Sequence, residues 1–223
     1  MKKTVFIMTI IILFGIITLA ESTLIDRGGG LIYCDTLDIT LLQNANYGAG
    51  SIYDDGTGYA PSTTDGKMTW NNAMAWADNL TYYDSVRDVI WDDWRLPSAL
   101  NQDGSGPDSG FNVTGSEMGH IYYTELGNIA GGPLTNIGDF DNVVLWSYWT
   151  STPGPDWPSG WETAYRFYIE DGHQFTDAKV YVNCAWAVRD GDVGPAPVPE
   201  PSALLLLFTG LIGLVGIKKK FKA

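Results

Sequence analysis

The sequence predicts an α+β body of short antiparallel strands, two helices and long loops, with an apolar segment at each end. Three observations carry this. Glycine is abundant, 26 of 223 residues, and together with Asp, Asn and Ser it breaks the chain into short pieces. Only two stretches combine helical spacing with a capping residue in front. Alternating apolar residues concentrate after position 145. With 45 % hydrophobic and 17 % charged residues the chain can bury a core, which excludes wholesale disorder.

The first 20 residues read as a signal peptide. Lys2 and Lys3 precede an apolar run over residues 5–17, broken only by Thr9 and Gly15, and Ala20 is the small residue at the cleavage position. A retained anchor helix is the alternative. Residues 21–192 form the body. Residues 31–34 read as a strand entered through Gly28-Gly29-Gly30. Thr69 caps a helix to about Leu80, with Trp70, Ala73, Trp76, Ala77 and Leu80 along one side. Ser116 caps a second helix through Leu126, with Met118, Tyr122 and Leu126 inward and Gly127 as its left-handed stop. In residues 161–169, Trp161, Tyr165, Phe167 and Ile169 share one face, with Glu162, Ala164, Arg166 and Tyr168 on the other. Asp171-Gly172 suits a two-residue hairpin turn. Residues 181–188 alternate again, placing Val182, Cys184, Trp186 and Val188 together.

Cys34 shares parity with Ile32, and Cys184 with Trp186, so both thiols point to one core. In an exported chain a disulfide between them is the expected arrangement. Closing a loop of about 150 residues would contribute about 5 kcal/mol in the chain-entropy treatment. Two separate thiols are the alternative. Neither cysteine has a histidine beside it in sequence, which speaks against a catalytic role.

The net charge is −13 and the pI near 4.3, which excludes DNA or RNA as a partner. The charge is uneven. Six lysines lie at the two ends, and between residues 21 and 199 only seven basic residues face 25 acids, leaving that part at −18. Sugar contact by such a body rests on rings, hydrogen bonds or a bridging metal.

Residues 193–201 contain Pro195, Pro197, Pro199 and Pro201, a stiff spacer. Residues 203–217 carry no charge, and Lys218-Lys219-Lys220 follows. At 1.5 Å per residue this span is a little short for a hydrocarbon layer of ~30 Å, which flanking lysines offset by snorkelling. Val198-Pro199-Glu200-Pro201-Ser202, the apolar segment with Gly210 and Gly213, and the basic end together resemble a PEP-CTERM sorting signal. Residues 202–223 are then a transmembrane sorting tail. The resemblance implies a Gram-negative source, transient insertion in the inner membrane, processing by an exosortase, and delivery to the cell surface or extracellular matrix. An ordinary single-pass anchor is the alternative.

The body carries a second resemblance. Trp94-Arg95-Leu96-Pro97, then Glu117-Met118-Gly119-His120-Ile121-Tyr122-Tyr123-Thr124-Glu125-Leu126-Gly127-Asn128, then Tyr148-Trp149-Thr150-Ser151-Thr152 and Ala185-Trp186-Ala187-Val188-Arg189, resemble the Lcl C-terminal domain family. The resemblance covers most of residues 24–192 and departs at Leu42, where that pattern has Trp. It implies a C-type-lectin-like fold in which the first and last strands pair. The calcium-lectin signatures Glu-Pro-Asn and Trp-Asn-Asp are absent, so calcium-mediated sugar binding is not implied. The related formylglycine-generating enzymes share the Arg-Leu-Pro element but depend on a cysteine-based copper site.

Among residues that carry chemistry, Glu117 and His120 lie three apart on one side of the second helix, a spacing that suits a metal or a proton relay. His173 is the only other histidine, short of a full metal site, and Glu125 lies too far round an α-helix to join them. A helix simply packed through Met118 and Tyr122 is the alternative. Asp54-Asp55-Gly56-Thr57-Gly58 and the loop holding Asp103 and Asp108 offer oxygens for calcium, although neither matches the twelve-residue calcium loop. Of the clustered Trp146, Trp149, Trp157 and Trp161, alternation turns Trp149 and Trp161 inward. Trp157, in a proline-rich loop, faces outward, where a ring can stack on sugar. No catalytic residue is assigned and no cofactor is expected. The expected role is a non-catalytic surface or matrix protein associated with extracellular polysaccharide, with contacts at Trp157, Asp54, Asp55, Asp103 and Asp108. The rivals are an extracellular hydrolase using Glu117, His120 or a loop aspartate, and a plain membrane-tethered protein.

Overall fold

A computed structural model describes residues 24–55 and 64–197. The expected signal peptide and sorting tail, with Val198 to Ser202, lie outside the described residues. Among the described residues no helix is long and apolar enough to cross a membrane.

The body is α+β, as expected. The first sheet contains β1 (Leu24–Gly28), β2 (Leu31–Cys34), β3 (Ile39–Leu42) and β11 (Val188–Asp190), all antiparallel and in that spatial order. The β1–β2 turn needs its glycines: Gly28, Gly29 and Gly30 all have φ between 66° and 77°. A Cβ on Gly30 would also run into the Tyr82 hydroxyl, which donates to Gly29 O at 2.7 Å. First and last strands therefore share a sheet but occupy its opposite edges.

The second sheet runs β4 (Lys67–Met68), β10 (Asn183–Cys184), β7 (Ser147–Pro153), β8 (Thr163–Tyr168) and β9 (His173–Ala178), with only the β10–β7 pair parallel. Each of its faces carries part of a core, and one face stays open along β8 and β9. Tyr148, Phe167 and Cys184 enter one core with Ile32, Ile39, Leu41, Tyr122 and Trp186. Trp149, Ala164 and Ala185 enter another with Leu31, Leu42 and the buried side of α1 (Trp70–Asp78). A small hairpin, β5 (Tyr82–Asp84) and β6 (Val89–Trp91), completes the strands.

Several expectations need correction. Residues 181–188 are not one strand: the alternation survives, with Cys184, Trp186 and Val188 in one core and Ala185 and Ala187 in the other, but the chain leaves the second sheet after Cys184 and joins the first at Val188. The β8–β9 connection is four residues, 169–172, because the pairing closes at Tyr168 and His173. Trp161 precedes β8 instead of opening it and is 45 % exposed. The second helix begins as α2 (Glu117–Gly119), with Ser116 Oγ accepting from Gly119 N, then widens into a π-helical turn (His120–Glu125) before Gly127 stops it at φ +64°. Gly119 is obligatory, since a Cβ there would strike the Val113 carbonyl.

Both cysteines are fully buried in the same core, as their parity requires. Cys34 ends β2 beside the π turn, with Sγ 3.8 Å from Glu125 Oε1. Cys184 sits on the second sheet, where burial pushes its thiol up to about 12.

Candidate functional site

The open face of the second sheet gathers the exposed rings. Arg166 and Tyr168 of β8 lie opposite Phe175 and His173 of β9 in register, on one face. The Arg166 guanidinium lies 3.9 Å from the Phe175 ring centroid, Nε is 3.0 Å from Asp177 Oδ2, and Nη1 donates to Ser147 Oγ. Burial pulls the Arg166 pKa below its ordinary value, against the attraction of Asp177. Trp146 from the edge of β7, residues 180–183, and Asp65 with Lys67 complete a cleft of ≈ 670 Å³. Trp146 and Tyr181 are 43 % and 48 % exposed. Asn183 lines the same cleft, and its buried Nδ2 has no hydrogen-bond partner among the described residues. Such a donor is costly to leave unmet.

A smaller cavity of ≈ 510 Å³ adjoins it through Val180 and is lined by Thr69, Trp161, Glu162 and Lys179. The Trp161 and Tyr181 rings are 6.0 Å apart at its edge. Trp146, Tyr181 and Trp161 thus line connected hollows with carboxylates, an amide and cations between them. Flat apolar faces beside fixed donors and acceptors suit sugar rings.

This overturns the placement of the outward ring. Trp157 is half-buried in a tight turn in which its N–H donates to Trp161 O (3.0 Å) and its carbonyl accepts from Gly160 N (2.8 Å). Trp146 and Trp161 are the exposed members, and Trp149 is fully buried as expected. Tyr181, which the sequence reading did not single out, joins them. Its signal was its position one residue outside the buried parity of Val182, Cys184 and Trp186.

The aspartates mostly brace loops. Asp54 is buried, with Oδ2 accepting from Gly50 N (3.0 Å) and Gly66 N (2.8 Å). Asp55 Oδ2 accepts from Thr69 N and Asn72 Nδ2. Asp103 Oδ1 accepts from Ser105 N and Oγ, hydrogen bonds that hold this exposed carboxyl below its ordinary range, and Asp108 Oδ2 accepts from Asn101 Nδ2. Asp103 and Asp108 do line a shared cavity of ≈ 670 Å³ with Asn101, Phe111, His120 and Thr124.

Glu117 and His120 do not act as a pair. Glu117 is clamped by Arg95, whose Nη1 and Nη2 donate to its two oxygens at 2.9 and 2.7 Å, and it also accepts from Ser98 N. Arg95 reaches Asp190 as well, and its backbone bridges Val188. Burial pulls the Arg95 pKa down, but Glu117 and Asp190 more than reverse this and hold it above the ordinary value. The Trp-Arg-Leu-Pro, Glu117 and Val188-Arg189 motifs are therefore one structural lock. His120 instead meets Glu125, Nε2 to Oε1 at 2.8 Å. On an α-helix, residues five apart point about 140° away from each other. The π turn, closed by Leu126 N to Ile121 O at 2.9 Å, brings them round to the same side.

Fold and clefts together define an α+β body with aromatic-lined, partly polar clefts on one face. Residues 197–220 match the PEP-CTERM protein-sorting motif, which marks an exported protein processed by an exosortase of the Gram-negative kind. No curated protein and no solved structure matches the chain.

Proposed function

We propose that the chain is an exported, non-catalytic binding or structural component of extracellular polysaccharide, holding sugar rings in the Trp146–Tyr181 cleft and released to the surface or matrix after exosortase processing. The observation that carries this is the cleft itself: exposed rings, the buried and unmet amide of Asn183, and the Arg166–Asp177 pair, on a body whose −18 charge disfavours ionic attraction to acidic chains. A C-type-lectin-like body akin to the Lcl C-terminal domain, spanning residues 21–192, is part of the same reading. Its support is that the quoted motifs interlock through Arg95; the first and last strands share a sheet but do not pair, a departure from what that resemblance implies.

Retention of the chain on the producer's own polysaccharide, with and without calcium, tests the reading. Trp146→Ala with Tyr181→Ala is expected to weaken retention about 5- to 150-fold, since each ring contact is worth roughly 0.5–1.5 kcal/mol. Ile52→Ala, 91 % exposed and outside the cleft, is expected to leave it unchanged. Absence of retention by the unaltered chain overturns the proposal. The hydrolase reading keeps one supporting observation, the cavity shared by His120, Asp103 and Asp108. Appearance of new reducing ends in the same incubation would favour it. An intact mass that retains residues 208–223 after export would favour a plain tether.

A further inference from the structure

The π turn assembles a group that the polysaccharide reading does not use. Sγ of Cys34, a ring nitrogen of His120 and a carboxylate oxygen of Glu125 all lie within 4.8 Å of one another. His120 Nε2 is 2.8 Å and Cys34 Sγ 3.8 Å from Glu125 Oε1. The group is enclosed: Cys34 is 0 % exposed, and the side chains of His120 and Glu125 are 8 % and 3 % exposed. We propose that Cys34, His120 and Glu125 form a binding site for a divalent metal ion of the zinc class.

The donor set selects the metal. Zinc accepts thiolate, imidazole and carboxylate at about 2.0–2.3 Å in tetrahedral geometry, which sets ligand atoms about 3.3–3.8 Å apart. The sulfur–oxygen separation already falls there, and the nitrogen–oxygen pair opens by a fraction of an ångström. Calcium and magnesium demand oxygen ligands, so a thiol and an imidazole argue against both. Charge agrees, because one thiolate and one carboxylate balance a divalent ion and leave the enclosed site neutral. Three protein ligands leave a fourth position open. His120 also lines the cavity of Asp103 and Asp108, which supplies an entry path.

Two features of the chain fit this assignment. The wider turn is what places Glu125 on the same side as His120, so the departure from α-helix and the ligand geometry are one structural fact. Cys34 faces Glu125 at the end of β2, and a metal there commits its thiolate away from Cys184. An ordinary hydrogen-bonded trio is the competing reading.

The full chain, purified in detergent, kept reduced and stripped with chelator, would be titrated with cobalt and then zinc. Expected are uptake of a single ion per chain, a sulfur-to-cobalt charge-transfer band, and loss of that band when zinc displaces cobalt. Cys34→Ser is expected to abolish the band and Cys184→Ser to keep it. Glu125→Gln and His120→Asn should each weaken binding at least about tenfold, no less than the loss of an outer-shell partner. Near-ultraviolet circular dichroism separates loss of binding from loss of fold, and the isosteric Glu125→Gln serves if Cys34→Ser does not fold. No uptake by the folded, reduced chain, or a band that survives in Cys34→Ser, overturns the proposal. Neither outcome bears on retention by polysaccharide.

Discussion

Replacing Arg87 with alanine is expected to cost the body about 3–5 kcal/mol, the usual loss when one partner of a buried ion pair is removed. Arg87 Nη1 donates to Asp84 Oδ2 at 2.7 Å, and the two side chains are 7 % and 0 % exposed. Arg87 Nη2 also donates to the carbonyls of Arg27 and Gly194. One side chain thus fastens the entry strand and the exit segment of the body to the β5–β6 hairpin. For a body of this size the loss lowers the melting temperature by roughly 6–20 °C. Arg87→Lys keeps the charge but cannot serve three acceptors in a fork, so it should fall between the two. A loss below about 1 kcal/mol for Arg87→Ala, read by thermal or denaturant unfolding, would show that the brace is not structural.

The pH dependence of the same pair has a defined sign. Burial acts to raise the Asp84 pKa, but hydrogen bonds from Arg87, Trp91 and the Val86 and Arg87 backbone outweigh it and hold the carboxyl below its ordinary 3.8. A depressed folded pKa contributes stability above the unfolded value and loses it as pH falls through the folded pKa. The unaltered chain therefore loses this contribution in acid. In Arg87→Ala the carboxylate is buried without its cation, and protonation relieves that penalty. The stability gap between the two should narrow as pH falls below 3.8; a gap that widens there would contradict the assignment.

Local features of this fold were legible, and non-local ones were not. Spacing located α1 almost to the residue, although Thr69 at its N-cap position makes no side-chain cap hydrogen bond, and parity sorted Cys184, Trp186 and Val188 from Ala185 and Ala187 correctly. Which strand each would pair with lay beyond parity, because a chain can keep its alternation while passing from one sheet to another. The π turn was invisible for a related reason. Where the turn begins, Gly119 lies against the Val113 carbonyl with no room for a Cβ, a contact that no helical period records. On an α-helix Glu117 and His120 share a side and Glu125 points away, whereas the π turn joins His120 to Glu125. Alternation counted from Trp161 points its ring inward, whereas β8 begins two residues later, at Thr163.

Trp186→Ala is expected to cost about 3–5 kcal/mol, the range for emptying a buried aromatic site. Trp186 is 1 % exposed, packs edge-on to Phe140 with centroids 4.7 Å apart and against Tyr148 at 5.6 Å, and its Nε1 donates to Leu42 O at 2.7 Å. It therefore binds the first sheet to the core where the chain crosses between sheets. Trp186→Phe restores most of the volume but leaves that carbonyl without its donor, so it should cost about 1–3 kcal/mol. Trp161→Ala and Trp146→Ala, at exposed positions, should stay within about 0.5 kcal/mol. Denaturant unfolding of the four variants checks the ranking, and comparable losses at Trp186 and Trp146 would mean that the cleft rings belong to the core. If the ranking holds, the cleft variants remain folded, and any fall in polysaccharide retention reports the loss of a ring contact rather than the loss of the body that presents it.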